Sequence, residues 1–385
     1  MSASTRNSNR ALAAVLLLAG CVEQESHPHE TTSLRVMVTS PSDLGNDDDR
    51  LGDDVRQVDV TVQALDEQGR VDTRFTAAVD VYVQTLGQLS PTTQRFTVLG
   101  GTGTGPITLP RVYGPSFLWL EDFQNTPQRP ATFATGTSPV LWFREPLLVD
   151  VSTPDFTAGT QASWLRFSPL EGKQVRVGSS QFAGAGRLVV TGVYADGYSV
   201  SDVDCSVDPC RAAPYGHVYV FSFSRPIDVR GRDVTIGQTM KWFEGGVAEF
   251  NGFTELNFPV QEILDVTPDE SLLPPPADID PAWLVAEDGP LRFEELESGL
   301  ASVSDVTVCP LDNDWQRFKQ WKLDLGQGCS RPVNVISAAT AAGFDPAAFV
   351  GRKLTRVVGA LRTVNLGGFN VWILLPRRPS DITSN

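Results

Sequence analysis

The chain alternates apolar and polar residues in short runs, which is the period of β-strands and not of helices. The clearest run places Val58, Val60 and Val62 between polar neighbours, and Val79 to Val83 repeats the pattern after a turn at Asp66 to Gly69. Glycine and proline, with 33 and 27 residues, separate many such runs. This pattern predicts an all-β protein.

The first strand patterns, over residues 34–152, have the number and spacing of an immunoglobulin-like β-sandwich. Further short runs at 117–121 and 141–143 complete the set. There is no internal cysteine pair in this region, so the prediction of a sandwich depends on strand spacing alone.

A repeat marks the second half of the chain. Residues 236–259 align with residues 350–376, and the alignment matches Gly237 with Gly351, Gly246 with Gly359, Asn251 with Asn365, and Phe253 with Phe369. Each copy predicts a hairpin in which a glycine lets the strand bend sharply. Three upstream strand patterns complete a five-stranded barrel of the oligonucleotide/oligosaccharide-binding (OB) type. We therefore expect OB-like barrels at 183–262 and 292–382, with linkers at 153–182 and 263–291, the second rich in Pro and Asp.

The N-terminus has the layout of an export signal. Arg6 and Arg10 precede an apolar run at 11–19, and no acidic residue occurs before position 21. The run is too short to cross a bilayer as a helix, and no later segment is longer and equally apolar. The sequence therefore predicts an exported protein with a signal peptide over residues 1–20.

Leu18, Ala19, Gly20 and Cys21 resemble the lipobox of bacterial lipoproteins. The resemblance implies cleavage before Cys21, a lipid such as palmitate on its thiol, and a tether over 21–33. Because Val22 stands where lipoproteins retained at the inner membrane often carry Asp, the resemblance implies the outer membrane, with the protein facing the periplasm or the exterior. The alternative is an ordinary signal peptide that happens to end near a cysteine.

Four cysteines remain besides Cys21, an even number that suits an oxidising compartment. Three pairings are possible. Because each repeat holds two of them, we predict disulfides between Cys205 and Cys210 and between Cys309 and Cys329. A redox or metal role for the first pair is the alternative.

Two segments offer oxygen or nitrogen ligands to a cation. His27, His29 and Glu30 lie in the tether, where a plain spacer is the simpler interpretation. An acidic cluster precedes the second strand and suits Ca²⁺ if the backbone gathers it, although a solvated loop is the commoner case; it comprises Asp47, Asp48, Asp49, Asp53 and Asp54. We expect no metal and no cofactor.

The first repeat resembles the OB-type region that precedes the endonuclease/exonuclease/phosphatase domain of secreted bacterial nucleases. The residues that carry the resemblance are Gly192, Asp196, Gly197, Tyr198 and the run 249–256 (EFNGFTEL), with a similar closing motif at 376–382. No catalytic domain is expected, because the sequence ends at Asn385 after the second barrel. His217, in a predicted strand, is the only histidine outside the tether, so we expect no enzyme.

The net charge of the chain limits the classes of ligand that it is expected to bind. The formal charge is −15, and −17 without the signal, which argues against a general affinity for polyanions. The first hypothesis is a non-catalytic binding or scaffold lipoprotein with an unknown protein or polysaccharide partner. The alternative is a module for nucleic acid or anionic polysaccharide, for which nucleic acid is disfavoured because residues 183–262 hold six basic and ten acidic groups.

Candidate contacts for these ligands come from residue type. Bases would stack on aromatic side chains of the first barrel, namely Tyr194, Tyr198, Tyr219 and Phe221. Polyanions would meet the basic residues of the second barrel, above all Arg352, Lys353 and Arg356, with Arg362, Arg377 and Arg378. Five tryptophans are expected mainly in cores, with some available to line a sugar site; they are Trp119, Trp142, Trp242, Trp321 and Trp372.

Overall fold

The structure is a computed structural model that describes residues 30–384, apart from 53, 86–87, 90–93, 155–166, 342 and 367–368. The predicted signal peptide, Cys21, His27 and His29 lie outside the described residues.

The all-β prediction is confirmed. The described strands form three sheets, joined by short helices. The α-helices are α1 (Leu148–Ser152), α2 (Gly289–Glu294) and α3 (Asn313–Phe318). Single turns of 3-10 helix span Glu270–Leu272, Pro281–Leu284, Pro346–Phe349 and Pro379–Asp381. No helix in the described part of the chain has the length and apolar character that crossing a bilayer requires.

The N-terminal sheet has nine strands around one core. They are β1 (Ser33–Ser40), β2 (Gln57–Leu65), β3 (Ala77–Thr85), β4 (Gln88–Leu89), β5 (Gln94–Val98), β6 (Thr102–Thr108), β7 (Pro115–Glu121), β8 (Thr135–Thr137) and β9 (Leu141–Trp142). The strands pair in one continuous order, β4-β3-β7-β8-β1-β2-β6, in which the short β8 joins β7 to β1, and the sheet is closed or nearly closed as a barrel. Alternate valines of β2 and β3 are buried in its core, as the period-two pattern predicts.

The second sheet is the first barrel. Its strands are β10 (Gln174–Val177), β11 (Gly186–Val193), β12 (Gly197–Asp204), β13 (Arg211–Phe221), β14 (Thr239–Glu249) and β15 (Thr254–Asp265). β11 to β15 close in the order β11-β12-β13-β15-β14-β11, with β13 and β15 parallel. This is the five-stranded Greek-key closure of an OB barrel. β10, from the segment that the sequence predicts as a linker, adds to the edge at β14.

The third sheet repeats that closure. Its strands are β16 (Ala277–Asp278), β17 (Leu300–Val308), β18 (Gln320–Asp324), β19 (Val333–Ile336), β20 (Lys353–Leu366), β21 (Phe369–Leu375) and β22 (Ile382–Thr383). The ring order is β17-β18-β19-β21-β20-β17, and β19 and β21 are parallel. The repeated hairpins of the sequence are therefore the fourth and fifth strands of both barrels.

The glycine that bends each hairpin is identified by its surroundings. A Cβ on Gly359 would lie 2.5 Å from the backbone of Leu375, and a Cβ on Gly245 would lie 2.8 Å from the carbonyl oxygen of Asn257. Gly246, which the alignment matches with Gly359, has no atom closer than 3.6 Å to such a Cβ. The close approach in the first copy therefore requires Gly245, one residue before the aligned glycine.

Both predicted disulfides are present. Cys205 is bonded to Cys210 within the β12–β13 connection, and Cys309, which follows β17, is bonded to Cys329, which precedes β19. Each therefore closes a loop inside one barrel.

The barrels are in direct contact, and the segment between them is not a free linker. The backbone N–H of Thr254 donates to Glu297 Oε2 at 3.0 Å, and the Arg377 guanidinium donates to the carbonyl of Thr191 at 3.0 Å. The predicted linker, residues 263–291, contains β16 and the start of α2, and Phe293 at the end of that helix is part of the second barrel's core.

Helix α1 belongs with the first barrel, although the sequence predicts a sandwich that reaches residue 152. Leu148 and Val151 are fully buried and join the core of that barrel. The hydroxyl of Ser152 donates to the carbonyl of His217 in β13. The end of the N-terminal region thus closes one side of the barrel that follows it.

Candidate functional site

The second barrel carries a cavity of about 530 Å³ on the face built from its second, third and fifth strands. OB barrels bind oligosaccharides and oligonucleotides on the face of strands 2 and 3 and at the loops beside it. Here β18 supplies Gln320 and Lys322, β19 supplies Asn334, and β21 supplies Asn370 and Trp372. The cavity therefore occupies the ligand-binding position of the fold.

Alternation along β18 explains why these polar groups are available. Trp321 and Leu323 are buried in the barrel core, so Gln320 and Lys322 on the same strand point away from that core. On β19, Val335 packs in the core and Asn334 next to it points to the cavity side. The polar face is a direct result of the period-two pattern.

The other wall of the cavity comes from the segment before β17, with Trp283 in the predicted linker and Phe293 at the start of the predicted second barrel. Phe293 of α2 stacks on Trp372 with ring centroids 5.6 Å apart and an interplanar angle of 18°. The ring of Trp283 contacts the ring of Phe293 edge-on, with the two centroids 5.8 Å apart. Trp283, Phe293 and Trp372 all line the cavity and form an aromatic wall in which Phe293 and Trp372 are largely buried and Trp283 is partly exposed.

A chain of amides forms the floor. The Gln320 amide nitrogen donates to Asn334 Oδ1 at 3.0 Å, and the Asn334 amide nitrogen donates to the carbonyl of Trp372 at 3.3 Å. Both side chains are buried. The chain uses only one N–H of Gln320, so the amide oxygen of Gln320 is left as an acceptor. Amides held in this way present hydrogen-bonding groups at fixed positions.

Charges around the cavity balance. Lys322 Nζ bonds Asp314 at 2.6 Å and also bonds Asp312. Partial burial acts to lower the pKa of Lys322, but the hydrogen bonds to the two aspartates outweigh it, and its pKa lies above the usual value. Arg331 and Glu287 complete the charged lining. Arg331 is exposed and forms no ion pair with a described residue.

This combination fits a polyhydroxylated ligand. Aromatic faces contact the apolar C–H surface of a sugar ring, and fixed amides bond its hydroxyls. Phosphate recognition needs an excess of cations, and the lining supplies two cations against two carboxylates. The cavity is therefore better suited to a saccharide than to a nucleic acid.

The basic residues proposed from the sequence lie elsewhere. Arg352 and Lys353 are exposed at the start of β20, and the Arg352 guanidinium lies 5.6 Å from the ring centroid of Phe349. Arg356 donates to the hydroxyl of Ser302 at 3.0 Å and lies 3.9 Å from Asp278. None of the three lines the cavity. A ligand contact at these residues stays a prediction, separate from the cavity.

Of the four aromatic residues proposed for base stacking, Tyr198 and Tyr219 are buried, whereas Tyr194 and Phe221 are partly exposed. Tyr198 is fully buried in the core of the first barrel. Tyr194 and Tyr219 have ring centroids 5.9 Å apart, and Tyr219 lies 5.5 Å from Phe253. The second barrel covers this row, because Arg362 lies over the Phe253 ring at 4.8 Å. Tyr194, Tyr219 and Phe253 line a cavity of about 320 Å³ between the barrels, so a base-stacking role for Tyr194 stays a prediction.

His217 has a buried hydrogen-bond partner and lines a cavity of about 440 Å³ beside Leu296 and Leu300. Its Nδ1 lies 2.8 Å from the hydroxyl of Ser201, which is fully buried. Burial lowers the pKa of His217 to about 4, so the ring is neutral near pH 7. Because neither side chain is exposed, the pair is a satisfied core contact in this conformation.

Two buried carboxyls meet where the barrels join. Burial raises the pKa of Glu249 to about 7, although the backbone N–H of Ser168 and the hydroxyl of Thr254 both donate to it. Glu297, which accepts from the Thr254 N–H, is more deeply buried, and burial together with Glu294 and Glu249 raises its pKa further. Glu249 belongs to the run that carries the nuclease resemblance.

The cation candidates do not converge. Asp48 and Asp49 donate their backbone N–H groups to Asn46, Asp47 bonds Arg50, and Asp53 lies outside the described residues. Over residues 30–384 with their gaps, no three acidic, histidine or cysteine side chains are placed to hold a metal.

The fold and the cavity together define a class: an all-β protein with two OB barrels and a ligand-sized cavity on the binding face of the second. A comparison with protein-family models, with curated proteins and with solved structures finds no match for the chain.

Most of the cavity residues are not singled out by sequence reasoning. Trp372 is among the tryptophans expected to be available to a sugar site, but Gln320, Asn334, Trp283 and Phe293 are not identified. The alternation in β18 is a usable signal for Gln320. No sequence signal indicates that residues 283–293 fold back over β18 and β19.

Proposed function

We propose that the chain is a non-catalytic lipoprotein, anchored to the outer membrane through Cys21, whose second OB barrel binds a short oligosaccharide. The observation that carries the binding part is the buried amide chain from Gln320 to Trp372 beneath an aromatic wall. A buried polar group is costly unless it is bonded, and a rigid one can select among hydroxyl arrangements.

In this proposal the protein lies at the cell surface or in the periplasm and binds a glycan. The two barrels and the N-terminal sheet would hold the cavity at a distance from the lipid. A polyanion is the weaker candidate, since the chain has a formal charge of −15 and the cavity lining is balanced.

Titration of the mature protein with neutral and uronic-acid oligosaccharides tests the proposal, read by intrinsic tryptophan fluorescence because Trp283 and Trp372 line the cavity. We expect a saturable change that Asn334→Ala weakens at least tenfold, with Gln63→Ala in the N-terminal sheet as the matched control. Single-stranded DNA at low and high salt is the competing ligand. Binding of DNA with a steep salt dependence, or binding of sugar unaffected by Asn334→Ala, would refute the assignment.

The anchor has its own test. Mass spectrometry of the N-terminal peptide from cell envelopes should show an acylated Cys21 as first residue, and Cys21→Ala should release the protein from membranes. An unprocessed N-terminus at Met1 in the membrane-free fraction would disprove it.

A further inference from the structure

An exposed apolar patch covers one side of the first barrel, away from the cavity of the second. Phe258 is 76% exposed and Phe223 is 56% exposed. The Phe223 ring centroid lies 5.0 Å from Phe258 and 4.3 Å from Phe221. Around them stand three more exposed apolar side chains, Ile227, Val229 and Val260. We call these six residues the phenylalanine patch.

The patch is contiguous because a loop and a strand bring it together. Val229 donates its N–H to the carbonyl of Gln261, and the Gln261 amide donates to the carbonyl of Ile227. Phe258 and Val260 are two residues apart on β15, where the pairing with β14 is irregular, and both side chains are exposed. Apolar surface of this kind on a folded protein marks an interaction site.

Backbone conformation at the patch is unusual. Phe223 and Phe258 have φ values of +59° and +53°, in the left-handed region that bulky residues rarely adopt. Neither ring gains burial in the folded chain in return. Such outliers are typical of places where a conformation serves function rather than stability.

The charges around the patch suit a lipid surface. Arg225 bonds Asp233, and Arg230 and Lys241 both bond Glu262; with Glu244, the cross-strand partner of Val260, the charges around the apolar centre balance. The chain as a whole has a formal charge of −15. Exposed aromatic rings with an electrically neutral rim suit the headgroup level of a bilayer.

The short stretch of chain between Cys21 and Glu30 also favours a membrane as the partner of the phenylalanine patch. Eight residues separate Cys21 from Glu30. Even fully extended, they span about 30 Å. An anchored chain of that length meets its own membrane at high effective concentration, so a weak contact is enough.

We infer that the phenylalanine patch docks on the surface of the bilayer that carries the lipid anchor and so orients the barrels relative to it. The choice of a bilayer as the partner rests on the proposed lipid anchor at Cys21. The patch itself can be tested without the lipid, so failure of one is distinguishable from failure of the other.

The test uses the secreted mature chain with Cys21→Ser, made behind a signal peptide that is not lipidated, and flotation with phosphatidylcholine vesicles with and without phosphatidylglycerol. We expect the chain to float with both, and Phe223→Ser with Phe258→Ser to lower its partition coefficient at least tenfold while circular dichroism stays unchanged. The matched control is Phe123→Ser with Phe133→Ser, a second exposed phenylalanine pair 5.6 Å apart in which Phe133 also has positive φ.

Three results would overturn the inference. They are absence of flotation by the Cys21→Ser chain, equal loss in the patch variant and the control, and concentration-dependent dimers that the patch variant abolishes, which would make a second copy the occupant.

Discussion

Glu249 offers a quantitative test of how the barrels are joined. Its carboxyl accepts hydrogen bonds from the Ser168 N–H at 2.7 Å and from the Thr254 hydroxyl at 2.9 Å, both through the same oxygen. The other oxygen is buried without a partner among the described residues. Burial raises its pKa to about 7 from an ordinary value of 4.5.

The sign of the pH dependence comes from proton linkage. Between pH 4.5 and 7 the folded chain keeps a proton that the unfolded chain has lost, so stability falls as pH rises through this window. A pKa difference of this size corresponds to a loss of about 3 kcal/mol, which is complete above pH 7. Glu249→Gln keeps an acceptor oxygen for both bonds and has no charge to bury. Its stability relative to wild type should therefore improve by about 3 kcal/mol as pH rises through the same window.

Hydrogen exchange measured for peptides of β14 and β15 reports the local opening free energy at each pH. Taking the difference between variant and wild type cancels groups common to both, including His217. Glu67→Gln, at an exposed turn of the N-terminal sheet, is the control and should show no such trend. A difference between Glu249→Gln and wild type that stays constant across the pH range would show that Glu249 does not ionise in a buried site.

Three further predictions concern the barrels. Because burial lowers the pKa of His217 to about 4, stability should fall as pH drops from 6.5 towards 4, and His217→Gln should flatten that acid limb in urea unfolding. A Cβ on Gly299 would lie 2.6 Å from the His217 ring, so Gly299→Ala should lower the thermal midpoint by the equivalent of about 1–3 kcal/mol, unlike Gly246→Ala, whose Cβ meets nothing closer than 3.6 Å. Replacing Cys309 and Cys329 with Ser should cost about 3 kcal/mol in calorimetry, since their disulfide closes a loop of 20 residues; an unchanged midpoint would contradict this.

Local pattern was enough to predict the strands that close both barrels, but not β10 and β16, which lie in the predicted linkers. Alternating valines determined which side of β2 and β3 faces the core, and the repeated hairpins at 236–259 and 350–376 predicted two equivalent barrels. Both signals are local, because side-chain period and turn chemistry depend on neighbouring residues. The cysteine pairing came from the same repeat, since each pair lies inside one unit.

Tertiary structure alone decided where a ligand can bind. Tyr194 and Tyr219 have the residue type for base stacking, but the second barrel packs over them through Arg362 and Leu375. The cavity exists because Trp283 and Phe293, which precede the second barrel, fold back onto β21. Such contacts join residues that are far apart in sequence. Which residues meet depends on the shape and burial of whole surfaces, and the local alternation of apolar and polar residues does not contain that information.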